Sequence, residues 1–213
     1  LLGDEAIAQA AIDSGLSGVY AYPGTPSTEI TEFIQLREEK RGDAQNPIFC
    51  RWATNEKTAM EGALGMSYMG KRALVCMKHV GMNVAADPFV NSAMTGVNGG
   101  LVVVAADDPS MHSSQNEQDS RFYGKFALMP IFEPSNQQEA YDMTRAAFEL
   151  SEAVKLPVLM RVTTRMAHSR AVVNVTEEPR KQNDICRPED VRRWILLPAF
   201  AKKRYVELLA QQD

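Results

Sequence analysis

Across residues 1–175, short runs of continuous apolar residues alternate with longer stretches whose apolar side chains recur every three or four positions. The first period marks a strand covered on both faces, the second an amphipathic helix. Ala6, Ile7, Ala10 and Ala11 predict a helix over 4–14, with Asp4 able to cap its start and Gly15 to end it. Val19 to Tyr22 is a short strand. Pro23-Gly24-Thr25-Pro26-Ser27 is a turn, and Ser27 is placed to cap a helix over 28–40. A polar loop over 41–47 leads to a buried strand from Ile48 to Ala53, then to a helix that carries Glu56 and Glu61 and stops at Gly70. Ala73 to Met77 is a third strand. Lys78 to Asn83 reads as a glycine-containing turn, followed by a helix of small residues over 84–96 that Asp87-Pro88 should start or kink.

Leu101 to Ala106 is the strongest strand, ended by Asp107-Asp108-Pro109. A polar loop covers 110–121, with a helix near 120–128 and a short strand at Ile131-Phe132-Glu133. Asn136 then caps an amphipathic helix over 137–153, and Leu156 to Val162 is the sixth strand. Strands alternating with helices define an α/β fold, a three-layer α/β/α doubly wound parallel sheet of six strands. The composition changes at about residue 176. Residues 176–213 read as a linker and the start of a following, truncated domain, with a helix over 188–212 that Pro198 should break or kink. Lys202-Lys203-Arg204 fits a solvated helix face.

Composition adds exclusions. The 213 residues are 45% hydrophobic and 23% charged, as in ordinary globular domains, and the net charge of −4 provides no positive field for nucleic acid. No apolar run is long enough to span a bilayer. Cys50 and Cys76 lie in apolar runs and read as buried reduced thiols. Together with Cys186 they form no CxxC pair, so no iron–sulfur or zinc framework is visible, and a cytoplasmic setting is expected. The start, Leu1-Leu2-Gly3-Asp4, lacks an initiator Met and a signal-peptide pattern, and reads as trimmed.

Candidate chemistry sits where the strands end, because open α/β sheets bind ligands outside the carboxyl ends of their strands. By position alone, Glu56 is a first-turn acid favoured by the helix dipole. Four phrases change that reading: Tyr22-Pro23-Gly24-Thr25-Pro26-Ser27, Asn55-Glu56-Lys57, Cys76-Met77-Lys78-His79-Val80-Gly81-Met82-Asn83 and Arg161-Val162-Thr163-Thr164-Arg165. In this order and spacing the chain resembles the pyrimidine-binding domain of thiamine-diphosphate-dependent 2-oxoacid:ferredoxin oxidoreductases, and among them the branch acting on indolepyruvate. The resemblance implies strand order 2-1-3-4-6-5, with Thr25, Glu56, His79 and Asp107 gathered at one edge.

It also implies roles. Glu56 would be the catalytic residue, sharing a proton with the N1′ atom of the cofactor's aminopyrimidine ring so that thiazolium C2 is deprotonated for attack on a 2-oxoacid. Pro23, Gly24, Val80, Gly81 and Asn83 would join Glu56 in binding the cofactor. Thr25 is either a turn hydroxyl or a substrate contact, and His79 either meets the substrate or bonds its own loop. The pyruvate enzymes of the family carry a substrate-binding arginine near the end of strand four. Here Asp107-Asp108 stands instead, which favours an arylpyruvate. Gly3-Asp4 and Gly42-Asp43 lack the context of the family's metal motif, so no metal ligand is assigned. Mg²⁺ and [4Fe-4S] clusters are expected in a missing C-terminal part. Coenzyme A, ferredoxin, a beta subunit and homo-oligomeric contacts are the implied partners, and acyl-CoA the product. A non-oxidative 2-oxoacid decarboxylase subunit and a non-catalytic assembly domain are the alternatives. The absence of GxGxxG and GxxxxGK[ST] lowers a nucleotide-binding reading.

Overall fold

The fold comes from a computed structural model that describes residues 1–42, 45–188 and 190–212. In chain order the elements are α1 (Gly3–Asp13), β1 (Gly18–Ala21), α2 (Thr28–Arg41), β2 (Phe49–Trp52), α3 (Glu56–Tyr68), β3 (Ala73–Lys78), α4 (His79–Thr95), β4 (Leu101–Asp107), α5 (Arg121–Ala127), β5 (Ile131–Phe132), α6 (Gln137–Val154), β6 (Val158–Thr163), α7 (Thr164–His168) and α8 (Pro198–Ala210). The sheet has the order β2-β1-β3-β4-β6-β5, and every pairing is parallel. This is the order the resemblance implied.

Alternate residues of the central strands feed two cores. Leu74, Cys76, Val102, Val104 and Ala106 pack under α1, α2 and α6. Their neighbours Val75, Met77, Val103 and Ala105 pack under α3 and α4. Every residue of β4 is buried, which is why its sequence shows no polar alternation.

Four expectations change. β2 is not a buried strand: it lies at the sheet edge, Phe49 is 50% exposed, and Cys50 is only half-buried. An edge strand has a neighbour on one side only, so its apolar residues are not enclosed as those of β3 are. Burial, with Glu38 and Glu39 nearby, still pushes the Cys50 thiol up to about 11. Burial also raises the enclosed Cys76 thiol. The turn expected over 78–83 is instead helix, since α4 begins at His79 directly after β3. Pro88 neither starts nor ends α4 but lies inside it. An interior proline costs about 3 kcal/mol, and burial of Met82, Ala85 and Phe89 against the sheet offsets that cost. The helix expected over 188–212 is a single 3-10 turn at Val191–Trp194 and then α8, with Pro198 as its first residue. Part of the loop expected over 41–47, including Asp43 of Gly42-Asp43, lies outside the described residues.

Residues 176–188 and 190–212 run under the amino ends of the strands, opposite the candidate site. Arg180 N–H donates to the Asp13 carbonyl at 2.7 Å, Cys186 N–H to the Met69 carbonyl at 2.9 Å, and Trp194 stacks on Tyr68 with centroids 4.1 Å apart. Leu208 of α8 is buried in the α4-side core. Among the described residues, no helix is long and apolar enough to cross a membrane.

Candidate functional site

The register sets the site. Ala21 pairs with Trp52 on one side and Cys76 on the other, and Lys78 pairs with Ala106. The segments that leave β2, β1, β3 and β4 therefore emerge in a row at one edge, carrying Glu56, Thr25, His79 and Asp107.

Glu56 is the first residue of α3 and is 9% exposed. Capping of α3 falls to Asn55, whose side chain accepts from the Thr58 N–H at 2.9 Å. Glu56 is thus not used as a cap, and no hydrogen bond or ion pair to its carboxylate is found among the described residues. Its neighbour is Gly81, in the first turn of α4. A Cβ there would lie 2.6 Å from Glu56 Cγ and 2.7 Å from Oε1. Gly81 is what admits the carboxylate between the two helix starts. Glu61, five residues further along the chain, is half exposed and pairs with Lys57 at 3.9 Å.

The turn after β1 is built by hydroxyls other than that of Thr25. Ser27 Oγ donates to the Gly24 carbonyl at 2.8 Å, and the Gly24 N–H donates to Thr28 Oγ1 at 2.9 Å. Ser27 holds the cap position of α2 without a side-chain cap bond. Pro23 and Thr25 are exposed. Gly24 lies against the stem of Lys78, where an added Cβ would sit 3.1 Å from Lys78 Cβ.

His79 is fully buried, and its Nε2 lies 3.0 Å from the Asn116 carbonyl in the loop after β4. Its Nδ1 has no partner. Val80 is half-buried, and Asn83 is exposed with its Oδ1 accepting from the Tyr123 hydroxyl. Lys78, to which the sequence assigned no role, donates to the Ser113 carbonyl at 2.8 Å. The loop over 108–120 is therefore tied down beside the site at several points.

The acidic pair after β4 is spent inside this frame. Asp107 accepts from Arg161 Nε at 2.7 Å and from the Ser120 N–H at 3.0 Å. Arg161 also pairs with Glu133, which in turn binds Arg121 at 3.1 Å. Asp108 accepts from Ser113 N–H at 2.8 Å, Ser114 Oγ at 2.5 Å and Thr164 Oγ1 at 2.8 Å. Burial works to raise its carboxyl, but these donors outweigh it and hold Asp108 well below the usual carboxylate range. Arg161 was visible in the sequence as part of a motif. Its pairing with Asp107, 54 residues earlier in the chain, was not.

A buried, unpaired carboxylate at the strand ends of a doubly wound sheet stands where α/β domains of this class bind their ligands. The comparisons make this specific. Residues 9–205 match the family described as pyruvate flavodoxin/ferredoxin oxidoreductase, thiamine diphosphate-binding, and the chain belongs to that family. It is 46% identical over 208 residues to the indolepyruvate oxidoreductase subunit IorA of Thermococcus kodakarensis, covering 95% of this chain and 31% of that protein. The subunit of the same name from Archaeoglobus fulgidus is 48% identical over 95% of this chain and 33% of its own length. The chain thus spans about a third of the length of these two relatives. A 2-oxoglutarate:ferredoxin oxidoreductase from Magnetococcus marinus, solved with 2-oxoglutarate, coenzyme A and succinyl-CoA, shares the fold. Its TM-score is 0.71 at 17% identity, over all of this chain and 44% of that one. The Gly81 cradle and the unpaired Glu56 carboxylate suit a cofactor that offers a ring nitrogen to an acid.

Proposed function

We propose that this chain is the pyrimidine-binding part of a 2-oxoacid:ferredoxin oxidoreductase acting on indolepyruvate or a related arylpyruvate. The observation that carries the reading is the buried Glu56 carboxylate, unclaimed by the helix cap and admitted by Gly81. Thiamine diphosphate supplies an acidic thiazolium C–H and an electron sink for decarboxylation. Glu56 holds and shares a proton at the ring nitrogen of the aminopyrimidine, which a glutamine of equal size could not exchange. Gly81 gives the Glu56 carboxylate its place, and Pro23, Gly24, Val80 and Asn83 would hold the ring beside it. Thr25, exposed with its hydroxyl free of the turn, is available to the substrate. His79, buried with its Nε2 beside the Asn116 carbonyl, acts through the loop it holds.

The identity to the indolepyruvate subunits supports the arylpyruvate preference. So does the internal use of Asp107 and Asp108. Those relatives are named as subunits, which supports a partner chain. Coenzyme A and ferredoxin are then partners of the larger assembly, and Mg²⁺ and [4Fe-4S] clusters would be held by residues other than those of this chain. The test is Glu56→Gln in the full-length protein, followed by exchange of the cofactor C2 proton into heavy water by NMR. The expected loss is ~10²–10⁴-fold, while Glu61→Gln exchanges like wild type. Equal exchange in Glu56→Gln and wild type would return Glu56 to an ordinary first-turn acid.

A further inference from the structure

Three elements meet at a point the proposed reaction does not use. Asp4 stands in the first turn of α1, is 0% exposed, and neither of its carboxylate oxygens has a hydrogen-bond partner. Glu29 stands in the first turn of α2, with Oε1 3.4 Å from His168 Nε2 at the end of α7 and with a buried Oε2 that has no partner. One oxygen from each acid and one ring nitrogen of His168 lie within 4.8 Å of one another.

Two carboxylates facing each other with one of them fully buried is a costly arrangement in the absence of a cation or proton between them. Burial, then Glu29, then Glu5 all push the Asp4 carboxyl well above its usual range. The donor set carries two negative charges and one imidazole. A divalent cation neutralises it, and the imidazole selects a transition metal over Mg²⁺ or Ca²⁺.

We propose that Asp4, Glu29 and His168 form a binding site for a divalent transition metal of the Zn²⁺ or Mn²⁺ class. Carboxylate and imidazole ligands bind Zn²⁺ at ~2.0–2.2 Å, so the three ligand atoms must draw slightly closer than they stand. Glu29 and His168, with side chains 35% and 36% exposed, have the freedom to do so and give solvent a path to the ion, while Asp4 is fixed. The ion ties the start of α1 to α7 and to the first turn of α2. That joint is already supported by the Gly3 N–H bond to the Ser169 carbonyl at 3.2 Å. Because α2 follows the Pro23–Ser27 turn directly, the metal stiffens one wall of the candidate site without entering it.

The test uses full-length wild type, Asp4→Asn and His168→Gln, each treated with chelator, reloaded with Zn²⁺ or Mn²⁺, desalted and analysed for metal. Wild type is expected to retain one more equivalent of the added metal per chain than either variant. When free metal stands at a hundred times its Kd, amide hydrogen exchange in α7 should slow about 100-fold in wild type and not in the variants. His168 is partly exposed, so His168→Gln keeps the fold and reads ligation alone. Equal metal content in wild type and both variants, or α7 exchange that ignores the metal, overturns the site and leaves a proton shared between Asp4 and Glu29.

Discussion

Glu56 and Gly81 work as a pair at opposite helix starts. The glycine's role there is space, since its φ is not in the left-handed region and an alanine would be tolerated by the helix itself. Gly81→Ala should therefore fold with stability close to wild type, since Ala is favoured over Gly by ~1 kcal/mol in a helix. Its new Cβ would press on Glu56 Cγ and Oε1 and displace the carboxylate. Misplacement of a reacting group by about 1 Å costs on the order of 10² in rate, so C2-proton exchange should fall by about that factor. A melting curve and an exchange measurement on the same sample check both halves. Unchanged exchange would mean that the carboxylate does not act from where it lies.

At the scale of elements, the strand ends are fixed from below by an ion pair that the sequence concealed. Arg72, at the start of β3, has a side chain only 2% exposed and forks onto Glu152 of α6 at 2.9 and 2.7 Å. It also donates to the Ser14 carbonyl at 2.9 Å. Burial opposes ionisation of Glu152, but bonds from Arg72, Asn183 and Gly100 prevail and lower it from 4.5 to about 2. A folded-state value below the unfolded one means stabilisation that is complete above about pH 4.5 and is lost as the pH falls toward about 2. Glu152→Gln should lose about 3 kcal/mol at neutral pH, because it strands a buried guanidinium. It should also lack the part of the acid-induced destabilisation that wild type shows between those values. Urea melts at pH 7 and pH 3 measure this: a gap between wild type and variant that does not narrow at pH 3 contradicts the assignment.

For the whole molecule, residues 176–188 and 190–212 form a strap across the amino ends of the sheet. Trp194 on Tyr68, Asn183 between the Gly70 carbonyl and Glu152, and Leu208 against α4 hold it there. Trp194→Ala should loosen the strap by about 1 kcal/mol, the worth of one stacked aromatic pair on a partly buried side chain. The expected readout is faster proteolysis within residues 176–197, with little change in β4. Proteolysis at the wild-type rate would mean that the strap is held from elsewhere.

The sequence by itself determined the order of elements, the parallel sheet and, through four strand-end phrases, the family. Local periodicity is set by which faces a segment must bury, and strands covered on both faces leave continuous apolar runs. What periodicity could not tell was which run lies at an edge, so β2 read as buried. Nor could it show that packing of α4 on the sheet carries a helix through Pro88 and back to His79. The acidic Asp107-Asp108 pair was legible as residues, and its donors were not. Arg161 and Thr164 come from β6 and α7, and only the assembled sheet brings them to β4. The same holds for Asp4, Glu29 and His168. Hydrogen bonds and charge pairs act over a few ångströms regardless of separation along the chain, so tertiary structure alone decides which polar groups meet.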